Sequence, residues 1–123
     1  MPAQNRVFGK RILLVDDDQG ALESITLLLR IDRHIVTQVR NSSEALALLA
    51  NEPFDLVILD YFMPEMKGNE LAAKIRRSVP GLPILMVTAY FEKLVDTDNP
   101  VDAIIAKPFG VDELRQAIAK LLS

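Results

Sequence analysis

The sequence contains no cysteine and no tryptophan, and His34 is its only histidine among 123 residues. The absence of cysteine excludes disulfide scaffolds, thiol catalysis and cysteine-ligated metal centres, and it is compatible with a reducing cytosol. Positive charge is not in excess, because the formal net charge is −3. Nucleic-acid backbones are bound mainly through clustered lysine and arginine, so we expect no direct nucleic-acid binding by this domain.

Long hydrophobic runs are also missing. Residues 1–10 lack the apolar core of a secretion signal, and no later run is long enough to cross a bilayer, which predicts a cytoplasmic protein that does not enter membranes. Half of the residues are hydrophobic nevertheless, enough for the core of one domain. We predict an N-terminal tail over residues 1–9 and a single domain over residues 10–123.

Short apolar runs alternate along the chain with stretches of helical apolar spacing. The runs predicted as strands are residues 12–15, 35–39, 56–59, 83–88 and 101–106. The helices are predicted over residues 19–30, from a cap at Asn41 or Ser42 to before Pro53, from Gly68 to before Pro80, and over residues 111–122. Residues 90–100 are predicted to hold at most two helical turns, because their second half has turn composition.

This alternation predicts an α/β fold of the flavodoxin-like, doubly wound kind. We expect a five-stranded parallel sheet of order 2-1-3-4-5, with helices on both faces and a short or irregular fourth helix. In that order the first strand lies beside the third, so Asp16 and Asp17 converge with Asp60 where these strands end. Thr88 and Lys107 arrive at the same edge from the fourth and fifth strands.

Three carboxylates gathered at one edge predict a cation. Two of them about 4 Å apart repel by roughly 4 kcal/mol at an effective dielectric near 20, so the group needs protons or a counter-ion. Oxygen-only ligands favour Mg²⁺, or Mn²⁺ in its place, and Mg²⁺ usually keeps room for waters and phosphate oxygens. An aspartate in such a site can attack a phosphoryl group, which predicts Asp60 as the nucleophile with Lys107 and Thr88 assisting.

Five motifs in order and spacing now carry a family resemblance. They are Ile-Leu-Leu-Val-Asp-Asp-Asp at residues 12–18, Asp60, Met63-Pro64 with Gly68, Thr88-Ala89, and Lys107-Pro108-Phe109. Over residues 10–122 the chain closely resembles the receiver domain of bacterial two-component response regulators, and the chemotaxis response regulator has the same fold. The domain over residues 10–123 is then a receiver domain.

The resemblance implies a function and partners. A receiver is a phosphoacceptor switch that takes a phosphoryl group, here on Asp60, from a sensor histidine kinase or a phosphotransfer protein and relays it as a conformational change to an effector or output domain. It promotes its own phosphorylation and dephosphorylation and is not counted as an enzyme. The resemblance also allows a homodimer.

The resemblance further implies a set of metal and phosphoryl ligands. Asp17 would bind Mg²⁺ directly and Asp16 through water, together with Asp60 and the backbone carbonyl of Phe62. Thr88 and Lys107 would bind the phosphoryl group. The family pattern also implies a cis peptide before Pro108.

Three departures from the family pattern stand out. Ile104 occupies a position that is aromatic in many receivers and takes part in their switch. The interval from Thr88 to Lys107 is shorter than usual, which points to an atypical fourth helix and output face. Phe62 and Tyr90 are bulky at two positions that resemble those controlling water access, so we hypothesise slow autodephosphorylation.

Other interpretations of the same residues remain open at this stage. Asp16 and Asp17 could serve only the first helix's N-terminus, and Asp60 could simply initiate a turn. The chain could then be a non-phosphorylated pseudo-receiver that acts as a dimerisation or scaffold module. A metal-dependent phosphatase is a third class, but it usually has a general acid two residues after the nucleophile, where Phe62 stands.

Three further assignments concern residues outside the acidic group. We expect Glu65, Lys67 and the basic residues at 74, 76 and 77 to lie in solvent, and His34 to lie in an exposed loop. Phe109 is expected to pack at the core or its rim.

Overall fold

The computed structural model describes residues 6–94 and 99–122. Within these ranges strands and helices alternate along the chain. The strands are β1 (Arg11–Val15), β2 (Ile35–Val39), β3 (Leu56–Asp60), β4 (Ile84–Thr88) and β5 (Ala103–Ala106). The helices are α1 (Gln19–Ile31), α2 (Ser42–Asn51), α3 (Gly68–Ser78), α4 (Phe91–Leu94) and α5 (Val111–Leu122).

The five strands form one sheet of order β2-β1-β3-β4-β5, and every neighbouring pair is parallel. The predicted flavodoxin-like sheet is confirmed. Strand β2 lies at an edge, as the predicted strand order requires, and Ile35 at its start is 59% exposed. Strand β5 begins two residues later than predicted because the Asp102 side chain accepts a hydrogen bond from the Ile84 N–H and caps the sheet there.

Alternating residues of the buried strands feed two cores, one on each face of the sheet. On one face, α1 and α5 cover Ile12, Leu14 and the residues in step with them on the central strands. On the other face, α2, α3 and α4 cover Leu13, Val15 and their counterparts. Strands β1, β3 and β4 are thereby buried on both faces, which explains why they are runs of branched apolar residues.

Side-chain caps fix where the first two helices begin. The Asp18 carboxylate accepts a hydrogen bond from the Ala21 N–H at 3.3 Å and starts α1. The Asn41 side chain accepts one from the Glu44 N–H at 2.9 Å and starts α2, so Asn41 is the cap and Ser42 is the first helical residue. Asp16 and Asp17 are thus not needed for capping.

The connection from β4 to β5 contains the short helix that the sequence predicted. The described part of α4 is one turn, and Leu94 packs into the core on that face of the sheet. Residues 95–98, which carry part of the predicted turn composition, lie outside the described residues.

The prediction that His34 lies exposed in a loop is wrong. Its side chain is 5% exposed, and its Nδ1 accepts a hydrogen bond from the Lys10 N–H at 3.0 Å. The loop between α1 and β2 folds back on the segment that enters β1. A short loop that closes on an earlier part of the chain can bury a polar ring in this way if the ring finds a partner.

The assignment of Arg76 to solvent is also wrong, whereas Lys74 and Arg77 are exposed as predicted. The Arg76 guanidinium donates to the Leu82 carbonyl at 3.0 Å and to the Asp102 carboxylate at 2.8 Å, and also to the Pro100 carbonyl. Arginine at a helix C-terminus has several donors for free carbonyls, and here it ties α3 to the loops before β4 and β5.

The segment predicted as an N-terminal tail is described from Arg6 onward. Arg6 pairs with the buried carboxylate of Asp32, and the Gly9 N–H donates to the Asp32 carbonyl at 3.1 Å. Val7 packs against the core beneath α1 and α5.

Phe109 is partly buried against the same core, as predicted. Among the described helices, none is long and apolar enough to traverse a bilayer.

Candidate functional site: an acidic pocket at the carboxyl ends of the strands

The sheet brings the predicted site residues to one edge. Asp16 directly follows β1 and Asp60 is the last residue of β3, and the two strands are paired through Val15 and Leu59. Asp60 is opposite Val87 of β4, one residue before Thr88. The predicted convergence therefore follows from the strand order and register alone.

Asp16, Asp17 and Asp60 each place a carboxylate oxygen within 4.8 Å of the other two. Asp16 is 1% exposed, the Asp60 side chain is 15% exposed, and Asp17 faces solvent. Three carboxylates this close, two of them shielded from water, form the acidic pocket. Such a group is stable only with a proton or a cation among its members.

Lys107 provides one cation to the pocket. Its ammonium nitrogen lies 3.0 Å from Asp16 Oδ2 and 3.7 Å from Asp60 Oδ1. The other Asp16 oxygen accepts a hydrogen bond from the Asp18 N–H at 3.0 Å, so both oxygens of this buried carboxylate are satisfied. A single ammonium cannot balance three carboxylates, and the pocket keeps an excess of negative charge.

The surroundings of Asp60 change its acidity. Burial raises the pKa of Asp60 to about 6, because desolvation outweighs the Lys107 ammonium, which favours the charged form; Asp16 and, less strongly, Asp17 add to the rise. The Tyr61 N–H donates to the carboxylate and acts in the opposite direction. Asp60 is therefore largely ionised at neutral pH and can act as a nucleophile.

Thr88 is fully buried at the end of β4. Its hydroxyl oxygen accepts a hydrogen bond from the Tyr90 N–H at 3.0 Å, and its carbonyl accepts one from the Lys107 N–H at 2.9 Å. Thr88 thus connects the β4–α4 turn to the lysine that enters the pocket. The peptide bond after that lysine, Lys107–Pro108, is cis, as the resemblance implied.

Gly68 fixes the turn behind Asp60. Its N–H donates to the Tyr61 carbonyl at 2.6 Å, and a Cβ at this position would lie 2.3 Å from the Asp60 carbonyl oxygen. Only glycine permits this close approach of backbone to backbone. Phe62 lies in the same turn, and metal binding by its carbonyl stays a prediction.

Three rings follow the ends of β3 and β4 and form the aromatic cluster, which consists of Tyr61, Phe62 and Tyr90. The Phe62 ring centroid is 4.9 Å from that of Tyr61 and 4.5 Å from that of Tyr90, both in edge contacts. The Lys67 ammonium lies 4.1 Å from the Phe62 centroid. The sequence singled out Phe62 and Tyr90, but it missed Tyr61 and assigned Lys67 to solvent, because the spacing carries no signal for a contact made by the turn.

The donor set of the pocket fits Mg²⁺. Among the described residues, the atoms that could bind a metal here are carboxylate oxygens, and they lie within 4.8 Å of one another. The pocket is open to solvent on the side of Asp17, which is exposed. Hard, oxygen-only sites with one open side are typical of Mg²⁺ that also binds phosphate oxygens, and Mn²⁺ has the same preferences.

Comparisons with known proteins agree with this geometry. The sequence model for the response regulator receiver domain matches residues 12–119. The response regulator MprA of Mycobacterium sp. (strain KMS) is 36% identical over 115 residues, which are 91% of this chain and 50% of MprA. The chain thus spans about half the length of this curated relative.

Two solved structures of one protein, TrrA of Thermotoga maritima, are similar at 35% identity. The response regulator TrrA in complex with Mg²⁺-BeF gives a TM-score of 0.86 and covers 92% of this chain and 99% of TrrA. TrrA in complex with the histidine kinase ThkA gives a TM-score of 0.83 over 93% and 99% of the two chains. Fold, acidic pocket and family match together identify the chain as a member of the response regulator receiver domain family of two-component systems.

Proposed function

We propose that this receiver accepts a phosphoryl group on Asp60 from the phosphohistidine of a sensor histidine kinase or a phosphotransfer protein. The observation that carries the proposal is the acidic pocket itself. One carboxylate oxygen each of Asp16, Asp17 and Asp60 lies within 4.8 Å of the other two, and the Lys107 ammonium contacts Asp16 and Asp60. Related TrrA has been solved with a histidine kinase, which supports this class of donor.

The transfer requires one bond to form and one to break. An ionised Asp60 oxygen attacks the phosphorus, and the bond from phosphorus to the imidazole nitrogen of the donor breaks. The imidazole leaves with the bonding electron pair and can take a proton from water. Lys107 is placed to neutralise charge on the phosphoryl oxygens, and the Thr88 hydroxyl is the second ligand that we propose for them.

Asp16, Asp17, Asp60 and the carbonyl of Phe62 would hold Mg²⁺, or Mn²⁺ in its place. The bound ion would supply positive charge to the phosphoryl oxygens and offset the repulsion among the carboxylates. The Mg²⁺-BeF complex of TrrA supports the choice of ion. The bound ion would supply the positive charge that the pocket needs, because the single Lys107 ammonium cannot balance three carboxylates and a phosphoryl group.

The domain is proposed as a switch and not as an enzyme that turns over an external substrate. It would promote its own phosphorylation and dephosphorylation and pass the change in charge to an effector or output domain. The contact between the Phe62 and Tyr90 rings supports slow dephosphorylation, since two packed bulky groups next to the ends of β3 and β4 would limit the approach of water to Asp60.

Incubation with acetyl phosphate and Mg²⁺, followed by intact-mass measurement, tests the proposal. We expect one phosphoryl adduct on the wild-type chain and none on Asp60→Asn, which keeps the shape of the side chain but is not a nucleophile. Chelation of the metal should also prevent the adduct.

An adduct that survives in Asp60→Asn would place the chemistry elsewhere. No adduct from acetyl phosphate or from a phosphorylated histidine donor would favour a pseudo-receiver that works as a scaffold. Rapid turnover of external phosphoesters would instead indicate a phosphatase.

A further inference from the structure

Lys67 holds a defined position beside the aromatic cluster although it is a surface lysine. Its ammonium nitrogen lies 4.1 Å from the centroid of the Phe62 ring and 5.8 Å from that of Tyr61. As the residue before the first turn of α3, it makes no side-chain capping hydrogen bond. The contacts that the described structure gives its ammonium are with these two rings.

The backbone next to Lys67 cannot move freely. Gly68 packs on the Asp60 carbonyl so closely that a Cβ would lie 2.3 Å from that oxygen, and its N–H donates to Tyr61. The stem of Lys67 therefore leaves the backbone at a point fixed relative to Asp60. The ammonium reaches the Phe62 ring from this fixed point.

Phe62 needs such support because its own packing is incomplete. The ring is 38% exposed, and its neighbours within the cluster touch it by edge contacts. A cation within about 6 Å of a ring centroid is attracted to the electron-rich face of the ring. The attraction between the Lys67 ammonium and the Phe62 ring is lost if the ring swings away from Tyr90. Lys67 therefore stabilises the position in which the two rings are in contact.

We propose that Lys67 is a positioning residue whose ammonium keeps the Phe62 ring against Tyr90, beside the strand ends that carry Asp60 and Thr88. Its consequence for signalling rests on the proposed function: a ring held in place slows the loss of a phosphoryl group from Asp60. Lys67 acts through Phe62 and does not touch the reacting atoms.

Tyrosine fluorescence tests the position of the cluster without any phosphorylation. The chain has two tyrosines and no tryptophan, and both tyrosines, Tyr61 and Tyr90, belong to the aromatic cluster. We expect Lys67→Met, which keeps the stem and removes the charge, to make this emission more accessible to acrylamide. Lys67→Arg, which keeps the charge, should keep the wild-type response, and Lys74→Met, at an exposed lysine within α3, should leave it unchanged.

The rate of phosphoryl loss tests the consequence. An exposed cation–π contact is worth about 0.5–1 kcal/mol, so Lys67→Met should lose the phosphoryl group about two- to fivefold faster than the wild type if hydrolysis requires the ring to swing away. In a Phe62→Leu background, which keeps apolar volume without a ring face, Lys67→Met should have no further effect.

The outcomes separate this proposal from the proposed function. If quenching and rate are both unchanged in Lys67→Met, the positioning role is overturned. It is also overturned if the rate changes while quenching does not, or if the effect persists in Phe62→Leu, because Lys67 would then act by charge. If quenching responds as expected in the wild-type background and not in Phe62→Leu, but the wild type takes up no phosphoryl group, the positioning of Phe62 stands and phosphorylation of Asp60 fails.

Discussion

Asp60 is an acid that the folded protein holds in an unfavourable charge state. Its pKa rises from an ordinary 3.8 to about 6, chiefly through burial. A raised pKa on an acid means that the unfolded chain binds fewer protons than the folded one between these two values. The folded state therefore loses stability as pH rises from about 4 to 6.

Asp60→Asn should consequently stabilise the metal-free protein at neutral pH. The raised pKa of Asp60 corresponds to about 3 kcal/mol of stability that the folded protein lacks at neutral pH, and the uncharged amide of asparagine removes this loss. Urea unfolding in a chelating buffer at pH 7.5 and pH 4.5 measures this, and the advantage of the variant should shrink at the lower pH. An advantage that is equal at both pH values would contradict the assignment to the charge of Asp60.

The aromatic cluster gives a second prediction for single residues. Replacing both Phe62 and Tyr90 by serine should speed phosphoryl loss about two- to tenfold, since an aromatic pair is worth about 0.5–1.5 kcal/mol beyond its buried area. The decay of radiolabelled protein measures the rate. Phe8→Ser, at an exposed ring remote from the strand ends, is the control, and a double variant that decays no faster than the wild type would refute the shielding role.

At the scale of elements, the turn between β3 and α3 is the tightest connection near the pocket. Gly68→Ala would force a Cβ to within 2.3 Å of the Asp60 carbonyl oxygen and 2.9 Å of Tyr61 Cα, both backbone atoms that cannot move aside cheaply. We expect a loss of about 1–3 kcal/mol in the free energy of unfolding, together with weaker phosphoryl uptake on the displaced Asp60.

Gly81→Ala is the matched control for this prediction, because a Cβ there meets nothing within 4 Å. Urea unfolding of both variants gives the comparison. Equal stability of the two alanine variants would mean that the turn adjusts without strain, and the role given to Gly68 would be lost.

The elements themselves were largely predictable from the sequence. Strand order followed from apolar runs alternating with amphipathic helices, and β2 and α5 have the predicted bounds. A cap at Asn41 or Ser42 was visible because its signal is local, and the structure shows that Asn41 is the cap. Arg76 was not predictable, since its partners near Pro100 and Asp102 come from a loop whose path depends on the folded sheet.

At the scale of the whole molecule, a buried ionic group joins the N-terminal segment, the end of α1 and α5. Asp32 is 3% exposed, and Arg115 donates to its two oxygens at 2.9 and 3.1 Å while Arg6 binds from the other segment. Burial raises the pKa of Asp32, but hydrogen bonds and charge from Arg115 and Arg6 outweigh burial and leave the pKa below 3.8. Asp32 therefore stays ionised in mildly acidic solution.

His34, beside this group, should make stability depend on pH. Burial lowers its pKa below 6.5, Lys10 acts in the same direction, and Asp32 opposes them. Since the unfolded chain then binds more protons, the folded state should be fully stable above pH 6.5 and lose stability as pH falls below it. Protonation of Nδ1 would also remove the acceptor of the Lys10 N–H.

Urea unfolding between pH 7.5 and pH 5 tests this against His34→Asn, which keeps an acceptor but does not titrate. The difference in stability between wild type and variant should shift in favour of the variant as pH falls. A difference that does not change with pH would mean that His34 titrates at its ordinary value.

Much of the site was also accessible from the sequence, and for a physical reason. Asp16, Asp60 and Lys107 converge because parallel strands end at one edge, so that strand order alone brings them together. The surroundings of Lys67 and His34 depend on how turns close in three dimensions, and no periodicity records that. The ligand role of Phe62 stays a prediction from the family resemblance, and that of Thr88 stays a prediction from the site chemistry and the resemblance.

The contact between Lys107 and Asp16 joins residues 91 positions apart, one after the last strand and one after the first. A growing or partly unfolded chain cannot assemble this pair until nearly the whole sheet is in place. The proposed capacity to take up a phosphoryl group should therefore appear late and all at once during folding, and incomplete chains should not be phosphorylated by the donor.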